Sequence, residues 1–268
     1  MELLIGHSPD PDDAFMFYAL KRGLVRAPFG VREFLADIET LNRLALHARL
    51  DVTALSAHVL PYVGDKYYVL RVGASISRGY GPVLVASGHA GDVGLVAIPG
   101  RYTTASLLLQ LALPGVRTVE VPFDRIMDAV SSGAVDAGLL IHEGQITYSR
   151  RGLRKVMDLG EWWEATTGLP LPLGLDAVKS SLGPEVAAAV KAALLDSLEY
   201  ARKHPEEALG HAAEFSRGLA MDDVSRFVGM YVNDYTIDMG AEGERAVREL
   251  LRMAAEAGLV PEARVTFV

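Results

Sequence analysis

The residues best placed for chemistry lie in AVDAGLLIHEGQITY, Ala134 to Tyr148, where an apolar run rich in Leu and Ile ends abruptly on His142-Glu143-Gly144. An imidazole titrates near neutral pH, so a histidine at the mouth of a pocket can serve as a general base. The same residue could instead finish a strand by hydrogen-bonding a loop. His7 and His58, each near the end of another apolar run, are rivals for the role. A second cluster is Gly100-Arg-Tyr-Thr-Thr-Ala-Ser106, between the strand-like Leu95 to Ile98 and a helical pattern over Leu107 to Leu113. A helix start offers unpaired N–H groups and the positive end of the dipole, so Thr103, Thr104 and the Ala105 amide could hold a carboxylate. N-capping by one threonine is the alternative reading. Asn42 and Arg43 open a further helix, and Ser56 closes the strand after it. Arg43 could grip a carboxylate through two hydrogen bonds or simply be solvated.

The segment His7-Ser-Pro-Asp-Pro-Asp-Asp13 has three aspartates within four residues. Its prolines stiffen the chain, and Ser8, Asp12 or Asp13 can cap the following helix, so most of it has a structural explanation. The glycine and distal glutamate of an EF-hand loop are missing, and neither HExxH nor a cysteine cluster occurs, so no metal is expected. GxGxxG and GxxxxGK[ST] are absent as well, which removes the usual grounds for NAD or ATP. Trp162-Trp163 could wall an aromatic ligand or pack a hinge. The chain has no cysteine, which excludes disulfides and thiol nucleophiles. A net charge of −8 argues against a nucleic-acid groove, which needs clustered Lys and Arg. No apolar run reaches the roughly 20 residues of a membrane span. The N-terminus Met1-Glu2-Leu-Leu lacks the pattern of a secretory signal, so a cytoplasmic location is expected.

Groups like these must be delivered by strand ends. Across the first two thirds of the chain, short apolar runs alternate with helical patterns, the signature of an α/β fold with parallel strands. Leu3 to Gly6 reads as a strand and Asp12 to Gly23 as a helix. Helix, Asp and strand then recur twice: Leu41 to Ala48 with Asp51 to His58, and Asp124 to Val130 with Asp136 to His142. The repetition implies two lobes, each bringing a polar group to a strand end. Breaks in character at Gly81 to Gly88 and at Leu169-Pro-Leu-Pro-Leu-Gly-Leu175 read as paired crossovers, the second as a stiff extended connection. The expected lobes are 1–86 with 170–268, and an inserted 87–169. Helical patterns over Val186 to Ala201, Asp222 to Tyr231 and Gly243 to Ala257 would wrap the outside, leaving a ligand cleft between the lobes.

Read in order, several segments together resemble the 1,4-dihydroxy-6-naphthoate synthase family of the futalosine route to menaquinone. They are SPxPxDxFxFYAL (Ser8 to Leu20), ETLNR (Glu39 to Arg43), RGYGP (Arg78 to Pro82), PGRYTTA (Pro99 to Ala105), GLLIHEGQITY (Gly138 to Tyr148), DLGEWWEATTGLPLPLG (Asp158 to Gly174) and YVNDYTIDMGAEGERAV (Tyr231 to Val247). The resemblance implies the two-lobed, type 2 periplasmic-binding-protein-like α/β fold with a central cleft. It also implies a cofactor-independent carbon–carbon lyase that converts cyclic dehypoxanthine futalosine to 1,4-dihydroxy-6-naphthoate. His142 maps to the family's base, and Asn42, Arg43, Ser56, Thr103, Thr104 and Ala105 map to its substrate contacts. One departure stands out: the familiar SPCPND has Asp10 and Asp12 here in place of Cys and Asn. A chorismate dehydratase of the same pathway and a non-catalytic binder of small carboxylates are the alternative readings; for the latter, the absence of a signal segment is unfavourable.

Overall fold

The computed structural model describes residues 1–88 and 93–268, which form eleven strands in two sheets with helices around them. The strands are β1 (Glu2–His7), β2 (Gly30–Leu35), β3 (Val52–Ser56), β4 (Tyr67–Val69), β5 (Ser75–Ser77), β6 (Val83–Ser87), β7 (Leu95–Ile98), β8 (Arg117–Glu120), β9 (Ala137–Leu140), β10 (Leu153–Asp158) and β11 (Leu171–Lys179). The first sheet runs β2-β1-β3-β11-β4, with β5 also paired to β11; the second runs β10-β6-β9-β7-β8. β1 lies parallel to both β2 and β3, and β7 lies parallel to β8 and β9. Long β11 is antiparallel to β3, β4 and β5.

The continuous apolar composition of β3 and β9 follows from their position. All five residues of β3 and all four of β9 are buried, as central strands with both faces covered require. The expected strands over Leu3 to Gly6 and Leu95 to Ile98 are present. So is the helix predicted at Asp12 to Gly23, which runs Pro11–Lys21 and gives way to Gly23 in a left-handed conformation. Two boundaries differ. Asn42 and Arg43 lie inside the helix Ile38–Leu46, because Asp37 caps its start by accepting from the Thr40 amide at 3.0 Å. The helix after the Thr-Thr pair begins at Thr104 and not at Leu107, since Thr103 supplies the cap.

Leu169 to Leu175 is not a free connection. Its alternating prolines leave Leu171, Leu173 and Leu175 to enter β11, which bulges between Pro172 and Gly174 where the proline cannot donate to the ladder. β4, β5, β8 and β10 are short or exposed and carry too little alternation to stand out in the sequence. In the C-terminal third, the helix Gly240–Glu256 buries Gly243, Ala246, Val247, Leu250, Leu251 and Ala254, one face at three- and four-residue spacing. The helix Pro184–Lys203 packs on Pro11–Lys21, and Ser197 ties the two together: it accepts from the Leu20 amide at 3.1 Å and donates to the Met16 carbonyl at 2.7 Å.

The chain passes from the first sheet to the second through Arg78 to Pro82 and returns through the helix Leu159–Thr167. The two passages lie back to back, and the Leu159 amide donates to the Pro82 carbonyl at 2.9 Å. A side-chain carbon on Gly160 would sit 2.0 Å from the Tyr80 carbonyl group, so only glycine permits this approach. Trp163 is fully buried beside the return passage, with its indole N–H donating to the Pro170 carbonyl at 2.9 Å; it packs core and does not wall the cleft. Gly160→Ala must push the passages apart, so chemical denaturation should report a loss of about 1–3 kcal/mol. Unchanged stability would mean that the two passages yield freely.

Candidate active site

Between the sheets lies a cleft lined from both of them, the ordinary place for a small-molecule site. Its lining comes from both sides: Ser8, Asp12, Asp13, Ser56, Leu173 and Asp176 from elements of the first sheet, and Thr103, Thr104, Ala105, His142 and Gln145 from the second. Phe227 and Tyr231, on the helix Met221–Tyr231, close one wall.

His142 reaches the cleft because β9 ends at Leu140 and the chain turns sharply at once. Its backbone is left-handed, with φ at +53°, uncommon for a residue with a side chain. Its Nδ1 lies 3.3 Å from Asp10 Oδ2, while Nε2 is buried with no hydrogen-bond partner among the described residues. The Phe123 ring stands edge-on to the imidazole at 5.0 Å. The rival histidines are occupied elsewhere. His7 is buried, stacks on Phe17 and contacts Ser8 O at 3.0 Å and Glu33 at 2.9 Å through its two ring nitrogens. His58 contacts the Thr103 carbonyl through Nδ1 at 3.1 Å, and burial pulls its pKa down to about 4.

Asp10 is 1% exposed, yet burial does not decide its charge. Desolvation alone would raise its pKa; the neighbouring His142 and Arg217 charges outweigh it and hold the carboxyl below the usual value. Arg217 donates to Asp10 Oδ1 at 2.8 Å and to Glu143 at 3.0 Å, and its guanidinium lies 4.7 Å from the Phe123 ring. Glu143 is therefore paired with Arg217. Arg217 also has a left-handed backbone, with φ at +52°.

Asp10 stands at the N-cap position of the helix Pro11–Lys21 without making a cap bond, and Asp12 makes none either. Asp13 folds back to accept from both the amide and the hydroxyl of Ser8, at 2.7 and 2.8 Å. Asp12 and Asp176 face the cleft with carboxyl oxygens that lack partners. Burial pushes both well above the ordinary carboxylate range, and like-charged neighbours add to it, Asp13 for both and Asp10 for Asp12. Burial raises Asp13 as well. Among the described residues no group of His, Asp and Glu side chains is arranged to hold a metal ion. This end of the cleft thus favours the protonated form of its carboxyls, which in that form donate and accept hydrogen bonds to hydroxyl or carbonyl oxygens.

The other end is the start of the helix Thr104–Ala112. Thr103 caps it, accepting from Ser106 N at 3.2 Å while its hydroxyl donates to Gly100 O at 2.9 Å. The Thr104 hydroxyl donates across the cleft to the Leu173 carbonyl at 2.6 Å. The amides of Thr104 and Ala105 remain without acceptors among the described bonds, so the anion-binding capacity predicted here resides in N–H groups and not in hydroxyl protons.

Asn42 and Arg43 do not line the cleft. The Asn42 side chain is fully buried: its amide donates to Ser56 Oγ at 3.0 Å and to Tyr102 O at 3.2 Å, and its oxygen accepts from Ser56 N at 2.8 Å. It places Ser56 at the cleft wall. Arg43 is half-exposed and paired with Glu39 and Glu120 at 2.9 and 2.7 Å, which leaves no reason for it to take a ligand carboxylate. Sequence reading missed Asp176, Arg217, Gln145 and Tyr231. Only Asp176 left a trace, as an acid inside the apolar run Leu171 to Val178.

The family described as menaquinone biosynthesis matches residues 3–256 of the chain. The 1,4-dihydroxy-6-naphthoate synthase of Thermus thermophilus is 46% identical over 99% of both chains, and that of Streptomyces coelicolor 39% identical over 97% of this chain and 95% of its own. A crystal structure of a protein from Archaeoglobus fulgidus superposes with a TM-score of 0.94 at 48% identity, covering 97% of this chain and 98% of that one. The alkanesulfonate-binding protein of Xanthomonas axonopodis pv. citri bound to MOPS superposes at 0.73 with 14% identity, covering 97% and 94%. This last likeness establishes the periplasmic-binding-protein-like fold.

The acidic end gives a prediction with a definite sign. A carboxyl whose folded pKa is raised stabilises the fold below its unfolded pKa of about 4, and that contribution is lost as pH rises toward the folded value. Asp176→Asn removes the penalty, so its stability relative to the parent should improve between pH 5 and pH 8 in urea denaturation. A difference that does not change with pH would show that Asp176 is already ionised at pH 5.

Proposed function

The chain belongs to the 1,4-dihydroxy-6-naphthoate synthase family of menaquinone biosynthesis, and on that premise we propose that it cleaves cyclic dehypoxanthine futalosine in this cleft with His142 as the general base. The observation that carries the assignment is that, of the three histidines at strand ends, only His142 lines the cleft, with Nε2 free to accept a proton. His7 and His58 are tied into the protein. In the proposed step, Nε2 removes a hydroxyl proton from the sugar-derived part of the substrate. The oxygen electrons form a carbonyl, the adjacent C–C bond breaks, and its electrons pass to the conjugated ring ketone, which becomes aromatic. Proton transfer of this kind contributes about 10²–10⁴-fold.

The cleft's polarity supports an orientation. A substrate carboxylate would sit on the Thr104 and Ala105 amides, and oxygen functions of the sugar would meet the protonated Asp12 and Asp176. Ser56, Thr103, Thr104 and Ala105 are proposed as contacts, Asn42 as the support of Ser56. The reaction written this way needs neither metal nor organic cofactor. We take the chain as two lobes, 1–86 with 170–268 and an inserted 87–169; two sheets joined by two passages support a two-lobed division, while β6 (Val83–Ser87) pairs into the second sheet and so moves the first boundary back to the passage Arg78 to Pro82. Cytoplasmic action on a small molecule accords with the net charge of −8 and with the lack, among the described residues, of any helix long and apolar enough to cross a membrane.

Purified protein incubated with cyclic dehypoxanthine futalosine should release the naphthoate, detected by chromatography and absorbance. His142→Asn should lower turnover by about 10²–10⁴-fold with little change in substrate affinity, while His7→Asn and His58→Asn keep most of it. Near-normal turnover in His142→Asn would place the base elsewhere. Thr104→Val strands the Leu173 carbonyl, so chemical denaturation should report a loss of about 1–3 kcal/mol of stability. Unchanged stability would mean that the Leu173 carbonyl finds another donor once the cross-cleft bond is gone.

A further inference from the structure

We infer that Asp10 is the positioning residue of His142, supplied from the opposite side of the cleft, so that the base is complete only when the two sides close on each other. The inference rests on His142 being the base and names what makes it competent.

Asp10 sits in the loop after β1, on the first-sheet side, and His142 follows β9 of the second sheet. Their contact at 3.3 Å is a contact between the two sides. A carboxylate 3.3 Å from Nδ1 favours the tautomer with hydrogen on that nitrogen and lone pair on Nε2; both Asp10 Oδ2 and Nε2 lack a hydrogen-bond partner among the described residues. It also stabilises the imidazolium formed when Nε2 takes a proton, as an aspartate does for the histidine of a serine-protease triad.

Arg217 makes a buried carboxylate at this place tolerable. It comes from the segment between the helices Pro205–Ala213 and Met221–Tyr231, on the first-sheet side, and binds Asp10 Oδ1. The same guanidinium reaches Glu143 and lies near the Phe123 ring, both on the second-sheet side. One cation thus neutralises an acid from each side, and the remaining Asp10 oxygen is left for His142. The charged and titratable groups around the imidazole are Asp10 from the loop after β1, Asp12 in the first turn of the helix Pro11–Lys21, Arg217, Glu143 on its own turn and Tyr231 on the facing helix.

The test compares Asp10→Asn, Asp10→Glu, His142→Asn and the double variant Asp10→Asn/His142→Asn, with cyclic dehypoxanthine futalosine as substrate. Asp10→Asn should lower kcat by roughly 10²- to 10⁴-fold. The acid limb of its pH–rate profile should move to lower pH, because loss of the negative charge disfavours the imidazolium and leaves Arg217 opposing it. Partial unfolding would reduce the active fraction without moving that midpoint. Asp10→Glu should recover part of the rate, and Asp10→Asn should cost nothing further once His142 is gone. Normal kcat and an unmoved midpoint in Asp10→Asn, with turnover lost in His142→Asn, overturns the inference alone. An equal loss from Asp10→Asn with and without His142 overturns it too. Normal turnover in His142→Asn overturns the base assignment and this inference with it.

Discussion

A single buried carboxylate, that of Asp10, sets the terms for the rest of the site. An isolated charge at 1% exposure costs several kcal/mol, so it survives only where opposite charge and hydrogen bonds surround it. Those partners are distributed over three separate stretches of chain: Asp10 on the first, His142 with Glu143 on the second, Arg217 on the third. The sheets, the paired passages and the C-terminal helices bring the three together. Packing at the passages therefore bears on the electrostatics of the cleft, since the tight approach of Gly160 to Tyr80 fixes how one sheet faces the other.

The cleft is chemically two-ended. Free amides at the start of a nine-residue helix attract negative charge at one end. At the other, Asp12 and Asp176 are driven toward the protonated form by burial and by each other's neighbours, and would repel an anion if they lost their protons. An unsymmetrical ligand with one carboxylate and several hydroxyls has one favourable direction in such a field. Between the ends lies the unpartnered nitrogen of His142, and several bonds that cross from one side to the other help to hold the walls in place: Thr104 to Leu173, Asn42 to Tyr102 and His58 to Thr103.

The central strands and the large amphipathic helices were legible in the sequence because periodicity reports burial, and burial is what those elements share. The short edge strands were not, and β11 was hidden by prolines that suggested a connection. The lining of the cleft was legible at His142, Ser56 and the Thr-Thr segment, where polar groups end apolar runs. Reading residues as neighbours along one helix does not bring Asn42 and Arg43 to the cleft lining. Successive residues point about 100° apart, so one turns into the protein to hold Ser56 and the other out to the acids Glu39 and Glu120. Asp10 was noticed only as a departure from a familiar motif. Its meaning depends on Arg217, more than two hundred residues away, and no local pattern carries that pairing.

His142 and Arg217 share a backbone geometry that most side chains avoid, each with φ just above +50°. Holding a residue with a Cβ there costs about 1–2 kcal/mol, and glycine would relieve it. A redesign for thermal robustness alone would therefore put glycine at 142 and 217 among its first changes. Those are the two positions whose imidazole and guanidinium meet at Asp10, so part of the molecule's resistance to heat is held in reserve where its buried charges converge.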